Sequence, residues 1–201
     1  ICKRLEKVNH PCGMPISYVT LPDKTQGLNP AIYTIFTSNQ SLQDVIEKLA
    51  SIGTIDGMDI TQEIIILYGV SKYLSYLHRN NQVHGRLKAS NVLLDSNLYP
   101  LVSDPFFYEL NQDIPNTSIT KPIDYVVSLS KKALLNRPVT PQDDIYSFGI
   151  LALQILTHQI NVFSNISNDP EEIEQHILND VKPLIPDHIK GEIRTIIERC
   201  L

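Results

Sequence analysis

The side chains best suited to chemistry are concentrated in one segment, residues 83–110. Its candidate groups are His84, Arg86, Lys88, Asn91 and Asp104. Arg86 limits that chemistry, because a guanidinium stays protonated up to about pH 12 and cannot act as a base at neutral pH. Two of the others also have a simpler interpretation: Asn91 could cap a loop, and Asp104 could be a turn residue before a proline.

Two predicted helices flank this segment and must position it. Residues 60–79 carry apolar side chains on one stripe, which indicates a long, half-buried helix. Residues 141–157 are apolar on nearly all sides, which predicts a helix wrapped by other elements at the centre of the domain. The apolar positions of this second helix are Ile145, Phe148, Ile150, Leu151, Leu153, Ile155 and Leu156.

The remaining elements are a few strands followed by further helices. Strands are predicted over residues 14–21 and 31–37, with a turn-rich stretch between them. Later helix starts carry side chains that can accept hydrogen bonds from free backbone amides, at Ser41, Asp59, Thr140, Asp169 and, for the last helix, Asp187. This order of elements around one buried helix predicts an α+β fold that is mainly α.

The motifs of the central segment resemble those of the protein kinase superfamily. Residues 84–91, HGRLKASN, stand where kinases have H-R-D-L-K-x-x-N, and residues 103–106, SDPF, stand where they have D-F-G. Residues 144–149, DIYSFG, resemble the motif that opens the central helix of the kinase large lobe. The YSFG wording and the ending of the chain, residues 193–201, favour the tyrosine-kinase-like group.

The resemblance implies a lobe organisation and a set of site residues. Residues 1–36 would be the end of the small lobe, with the last turns of its regulatory helix, two strands and the hinge. Residues 37–201 would be the large lobe, truncated before its last helix. The implied nucleotide-binding positions are Thr34 as gatekeeper, Phe36, Lys88, Asn91, Leu93 and Asp104, with Asn91 and Asp104 as candidate Mg²⁺ ligands. Asp144 is implied to accept backbone amide hydrogen bonds from residues 84–87.

The chain also departs from the kinase pattern. Arg86 occupies the position of the catalytic base, although His84 and Lys88 of the same loop remain. Pro105 and Phe106 replace the last two residues of D-F-G, and residues 130–132, SKK, stand in place of A-P-E. The glycine-rich loop and the phosphate-binding lysine would lie upstream of this sequence. ATP and Mg²⁺ are therefore candidate ligands, but neither is required.

These departures predict a catalytically inactive pseudokinase that acts as a regulatory or scaffolding module through protein partners. One alternative is an ATP-binding Ser/Thr or Tyr kinase with weak activity in its full-length form, because positioning and electrostatics supply much of kinase catalysis. Another is a switch that binds ATP without transferring a phosphoryl group. We also expect the Arg86 guanidinium to lie near Asp104 and partly replace the charge of the metal.

Composition argues against other classes of protein. The 17 basic and 22 acidic residues give a net charge of -5, which is unlike the basic field of a nucleic-acid binder. No run of about 18 apolar residues occurs, so no segment is predicted to span a membrane. The three cysteines lack the spacing of metal ligands and favour reduced thiols, so we expect an intracellular, cytoplasmic location.

Overall fold

The computed structural model describes residues 8–20, 31–37, 40–55, 58–105 and 121–201. Four short strands in these ranges form two separate antiparallel pairs: β1 (Ile16–Thr20) with β2 (Ala31–Thr34), and β3 (Val92–Leu94) with β4 (Pro100–Val102). The helices of these ranges are α1 (Leu42–Ile52), α2 (Ile60–Arg79), α3 (Ile123–Ser128), α4 (Lys131–Leu134), α5 (Pro141–Thr157), α6 (Pro170–Leu178) and α7 (Gly191–Cys200). The predicted fold class, α+β and mainly α, is confirmed.

The first strand pair forms where the sequence predicts strands. Ile16 pairs with Thr34 and Thr20 pairs with Ala31, with an irregularity next to Ile16. The turn-rich stretch between the strands lies outside the described residues. Residues 1–7 also lie outside them; they belong to residues 1–10, for which we predicted the last turns of the regulatory helix. The second pair, β3 with β4, joins the first through residues 12–14, because Met14 N donates to Val102 O and Val102 N donates to Cys12 O, both at 2.8 Å.

The helix starts follow the capping residues of the sequence. Ser41 and Asp44 form a reciprocal capping box at α1, and Thr140 and Asp143 form another at α5. The Asp59 carboxylate accepts from Gln62 N at 2.9 Å at the start of α2, and Asp169 caps α6 in the same manner. These four predicted starts are confirmed. A fifth prediction was wrong: Asp187 does not cap the last helix, because α7 begins at Gly191, after Lys190.

Helix α5 forms the centre of the core, with one exception to its predicted burial. Its residues from Gly149 to Ile155 are buried, and it packs against α2, α3 and α7. Ile145, in its first turn, is 41% exposed, so the apolar pattern overstated the burial of that turn. The correction has a simple cause: Ile145 lines an open groove together with residues of α2 and α7. The buried positions of this first turn are the acidic Asp143 and Asp144.

Two glycines allow the close helix contacts that position the site. A Cβ added at Gly69 in α2 would lie 2.5 Å from Pro100 Cγ, and one at Gly149 in α5 would lie 2.7 Å from Cys200 Cβ. Larger residues at these positions would push α2 away from β4 and α5 away from α7. Among the described helices, none combines the length and the apolar character needed to cross a bilayer.

Candidate functional site

The site is organised around the buried carboxylate of Asp144, at the start of α5. Asp144 Oδ2 accepts from His84 N at 2.8 Å, and Oδ1 accepts from Gly85 N at 2.8 Å. Oδ2 also accepts from Nε2 of His78, near the end of α2, at 2.8 Å. The side chain is fully buried. One carboxylate thus ties the loop to two helices, which is the geometry that the kinase resemblance implies for Asp144.

His84 is fixed in one neutral tautomer by its two ring contacts. Its Nε2 lies 2.9 Å from Ser103 O, which can only accept, so Nε2 carries the proton. Its Nδ1 accepts from Arg86 N at 3.2 Å and is therefore unprotonated. Burial lowers the pKa of His84 below the usual value of about 6.5, although the nearby Asp144 carboxylate opposes this effect. His84 thus joins the loop to the residues after β4 without adding charge.

Arg86 is half-buried in the loop, and its side chain is poorly satisfied. Its Nε atom is buried and has no hydrogen-bond partner in the part of the chain that the structure describes. The expected ion pair with Asp104 was wrong, because the ion pairs of the described residues do not include it. Asp104 is exposed to solvent and has a positive φ of 57°, so water can solvate its carboxylate. Our argument for the pair assumed a partly buried carboxylate, and that assumption fails.

Lys88 is engaged by a residue that the sequence interpretation missed. Its Nζ lies 2.7 Å from Asp124 Oδ2, and the two side chains are only 16% and 8% exposed. Ser90 Oγ donates to the same oxygen at 3.3 Å. Asp124 lies in the first turn of α3, within the apolar stretch PIDYVV. A single acidic residue in an apolar helix turn is the signal that could have drawn attention to it.

Of the two candidate metal ligands, Asn91 is the buried one, and a hydrogen bond holds its side chain. Its Nδ2 donates to Arg86 O at 2.8 Å, which leaves Oδ1 as its free acceptor, and the residue is buried. Ser103 N donates to Asn91 O at 2.8 Å, so Asp104 follows directly after a residue that contacts Asn91. The structure therefore brings Lys88, Asn91 and Asp104 to one loop region around His84.

Three other predicted nucleotide-binding residues lie in or next to the short strands. Leu93 is half-buried in β3 and bridges to Ser41. Thr34 ends β2 and is exposed, and Phe36 is 94% exposed. Phe106 lies outside the described residues.

The end of the segment before α5 is held by contacts of its own. Ser130 caps α4 by accepting from Ala133 N at 3.2 Å, and its hydroxyl donates to the buried Asp143 carboxylate. Lys131 forms an exposed ion pair with Asp180. These residues occupy the place of the A-P-E motif, and Ser130 is a second structural residue that our sequence interpretation did not identify.

The residues of the loop fit the metal ion of a magnesium–nucleotide complex but not its phosphate groups. Asn91 and Asp104 offer an amide oxygen and a carboxylate, and Mg²⁺ in phosphate sites needs few protein ligands beyond these. The described residues contain no cluster of three or more His, Cys, Asp or Glu side chains arranged to hold a metal. On the phosphate side, Lys88 is already neutralised by Asp124. That side does not fit a phosphate while the ion pair persists.

The sequence of this chain is similar to those of several known proteins. A family model described as protein tyrosine and serine/threonine kinase matches residues 5–201. The chain is 32% identical over 132 residues to cysteine-rich receptor-like protein kinase 1 of Arabidopsis thaliana, covering 63% of this chain and 20% of that protein. It is 32% identical over 157 residues to U-box domain-containing protein 32 of Arabidopsis thaliana (77% and 18% covered). It is 27% identical over 150 residues to dual specificity protein kinase shkB of Dictyostelium discoideum (73% and 22% covered).

The chain therefore spans about a fifth of the length of these relatives. The family match covers nearly every residue described above, from the first strand pair to α7. The HGRLKASN loop, the buried Asp144 beneath it and the central helix α5 all lie within the matched range. On this evidence the chain belongs to the protein tyrosine and serine/threonine kinase family.

Proposed function

We propose that this kinase-like domain is catalytically inactive and acts as a regulatory or scaffolding module that binds protein partners. The observation that carries the proposal is Arg86, whose guanidinium occupies the position where the kinase family has its catalytic base. We propose an intracellular location for the module, with which the free thiols of Cys12 and Cys200 agree.

The physical argument concerns the attacking hydroxyl. Phosphoryl transfer in kinases uses a carboxylate to orient that hydroxyl and accept its proton. A guanidinium can only donate hydrogen bonds, and it adds positive charge beside the hydroxyl. His84 does not replace the base, because its unprotonated Nδ1 is occupied by Arg86 N. No neighbouring side chain of the loop therefore takes over the proton.

The names of the relatives are of more than one kind. Two of the three are named as kinases, whereas the third is named for a U-box domain. A kinase-like unit is thus shared by proteins with different names. A scaffold that keeps its fold and loses its base is consistent with that range.

A phosphotransfer assay tests the proposal directly. The chain is incubated with radiolabelled ATP, in Mg²⁺ and separately in Mn²⁺, with generic protein substrates and alone. We expect no incorporation above a blank without protein, and we expect Arg86→Asp to remain inactive because Lys88 is still paired with Asp124. Incorporation that disappears in Asp104→Ala would contradict the proposal.

The second candidate function is a nucleotide-binding switch without transfer. Asn91 favours it, because its side chain is buried and oriented with Oδ1 free. Equilibrium binding of ATP with Mg²⁺ separates the two candidates. Saturable binding that weakens in Asn91→Ala supports the switch, and its absence supports a module that acts through protein contacts alone.

A further inference from the structure

The ion pair between Lys88 and Asp124 connects two parts of the site. Lys88 belongs to the HGRLKASN loop, and Asp124 belongs to α3, which packs against α5 and α6. The Nζ–Oδ2 distance is 2.7 Å, and Ser90 Oγ contributes a second contact to the same oxygen at 3.3 Å. The Lys88 ammonium also lies 5.8 Å from the centre of the Tyr125 ring.

Both ends of this pair are held by buried neighbours. Leu87 and Ala89, on either side of Lys88, are 1% and 0% exposed. On the other side, Val126 and Val127 of α3 are 1% and 0% exposed. These buried neighbours hold the two backbones in place, so the pair breaks either by rotation of the side chains or, at a greater cost, by displacement of the first turn of α3.

Within the described ranges, Asp124 has no second ion-pair partner. Among the ion pairs of the described residues, its carboxylate appears only with Lys88. If Lys88 turned towards another anion, Asp124 would keep only the Ser90 hydroxyl as a polar partner in a largely buried position. Removing one partner of a buried pair is strongly unfavourable, because the remaining charge is uncompensated. Any anion that recruits Lys88 must overcome this penalty.

We propose that Asp124 acts as an internal anion that holds Lys88 away from phosphate groups, so that phosphate binds this loop only by displacing the Asp124 carboxylate. The displacement would free the first turn of α3, and phosphate binding would therefore be coupled to the position of that helix. The inference deepens the proposed function, because it assigns the kinase-like loop a contact that opposes phosphate binding.

The test measures binding of inorganic tripolyphosphate by titration calorimetry at neutral pH and low salt. This probe carries the phosphate chemistry without an adenine ring, so Thr34 and Phe36 do not enter. We expect Asp124→Asn to bind about tenfold more tightly than the wild type, a change of about 1.4 kcal/mol. The gain should disappear in the double variant Asp124→Asn/Lys88→Met, because Lys88 supplies the charge.

The matched control is Asp180→Asn, which removes the carboxylate of another lysine–aspartate pair. The Lys131–Asp180 pair is exposed, with side chains 41% and 73% accessible, so its loss leaves no buried charge and should not change the affinity. Unchanged affinity in a folded Asp124→Asn variant would overturn the inference. A gain that persists in the double variant, or an equal gain in Asp180→Asn, would overturn it as well.

A measurement on the wild type covers the case in which Asp124→Asn does not fold. Trace acetylation followed by mass spectrometry compares the reactivity of Lys88 with that of Lys131. We expect Lys88 to react about tenfold more slowly, because its amine is buried in the pair, and tripolyphosphate should raise the hydrogen-exchange rate of amides in α3. Equal acetylation rates together with unchanged exchange would overturn the inference.

The two proposals fail in different ways. Phosphotransfer by the chain would contradict catalytic inactivity, yet the affinity gain of Asp124→Asn would remain measurable. Unchanged affinity in Asp124→Asn would remove only the role of Asp124 and would leave the substitution at Arg86 as it is.

Discussion

Two sets of side chains at the HGRLKASN loop differ in how their polar groups are satisfied. We call the set formed by Asp144 and His84 the lower side, and the set formed by Arg86 and Asp104 the upper side. On the lower side, Asp144 accepts from two backbone amides and from His78, and His84 uses both ring nitrogens. On the upper side, Arg86 has a buried Nε without a partner, and Asp104 is exposed. The polar groups of the lower side are therefore hydrogen-bonded within the protein, whereas the upper side includes a buried donor that is not.

The conformation of the loop therefore does not depend on the side chains at the catalytic positions, Arg86 and Asp104. The lower contacts are buried and tie the loop to α2 and α5, so any change there leaves unpaired donors in the core. The upper side chains are half-buried or exposed, so they can change with little loss of stability. A kinase-like loop can therefore keep its shape after its catalytic base has become Arg86.

The largest effect is expected from removing the lower carboxylate. Asp144→Ala leaves His84 N and Gly85 N buried without an acceptor and deprives His78 of its partner. We expect a loss of about 3–5 kcal/mol in the free energy of unfolding, a large part of the total for a domain. Urea denaturation monitored by circular dichroism measures it.

The control for this variant is Asp59→Ala, which also removes a carboxylate that accepts from a backbone amide. Asp59 is exposed at the start of α2, and we expect its loss to cost about 1 kcal/mol. Equal losses of stability in the two variants would show that the contacts of Asp144 do not hold the loop in place.

A smaller effect is expected from pH, through His84. Burial lowers the pKa of His84 in the folded chain, so the unfolded chain binds the proton first as the pH falls. Stability is therefore fully present above about pH 6.5 and declines below it, by at most about 1.4 kcal/mol per pH unit. The decline ends where the folded chain also protonates.

The comparison variant is His84→Gln, whose amide can donate to Ser103 O and accept from Arg86 N without titrating. His10 also has a pKa lowered, first by burial and then by Lys72, so both proteins retain its contribution. The difference between the two stability curves from pH 8 to pH 5 isolates His84. Parallel curves would mean that His84 is not held neutral by the fold.

The smallest effect is expected on the upper side, at Arg86. Arg86→Met keeps the length of the side chain and removes a charge that has no ion-pair partner in the described part of the chain. We expect the free energy of unfolding to stay within about 0.5 kcal/mol of the wild type. With Asp104→Ala, the coupling energy from a double-mutant cycle should also stay below about 0.5 kcal/mol. A larger coupling would restore the ion pair that we first expected.

Much of the fold could be predicted from the sequence. Apolar periodicity located α2 and α5, and capping residues such as Asp59 marked where helices begin, because both signals depend on neighbours along the chain. The loop motif was readable for a similar reason, since its residues are contiguous. The exposure of Ile145 was not predictable, because it depends on an open groove that residues of α2 and α7 line together with it.

By itself, the sequence determined that a guanidinium stands at position 86 and that no change of protonation at neutral pH makes it a base. Only the tertiary structure decided which charges are paired. Lys88 and Asp124 are 36 residues apart and meet because α3 packs beside the loop. Arg86 and Asp104 both lie near His84 yet form no ion pair, because the carboxylate is left in water. Ion pairing depends on distance and burial in space, and neither quantity is encoded in the spacing of residues along the chain.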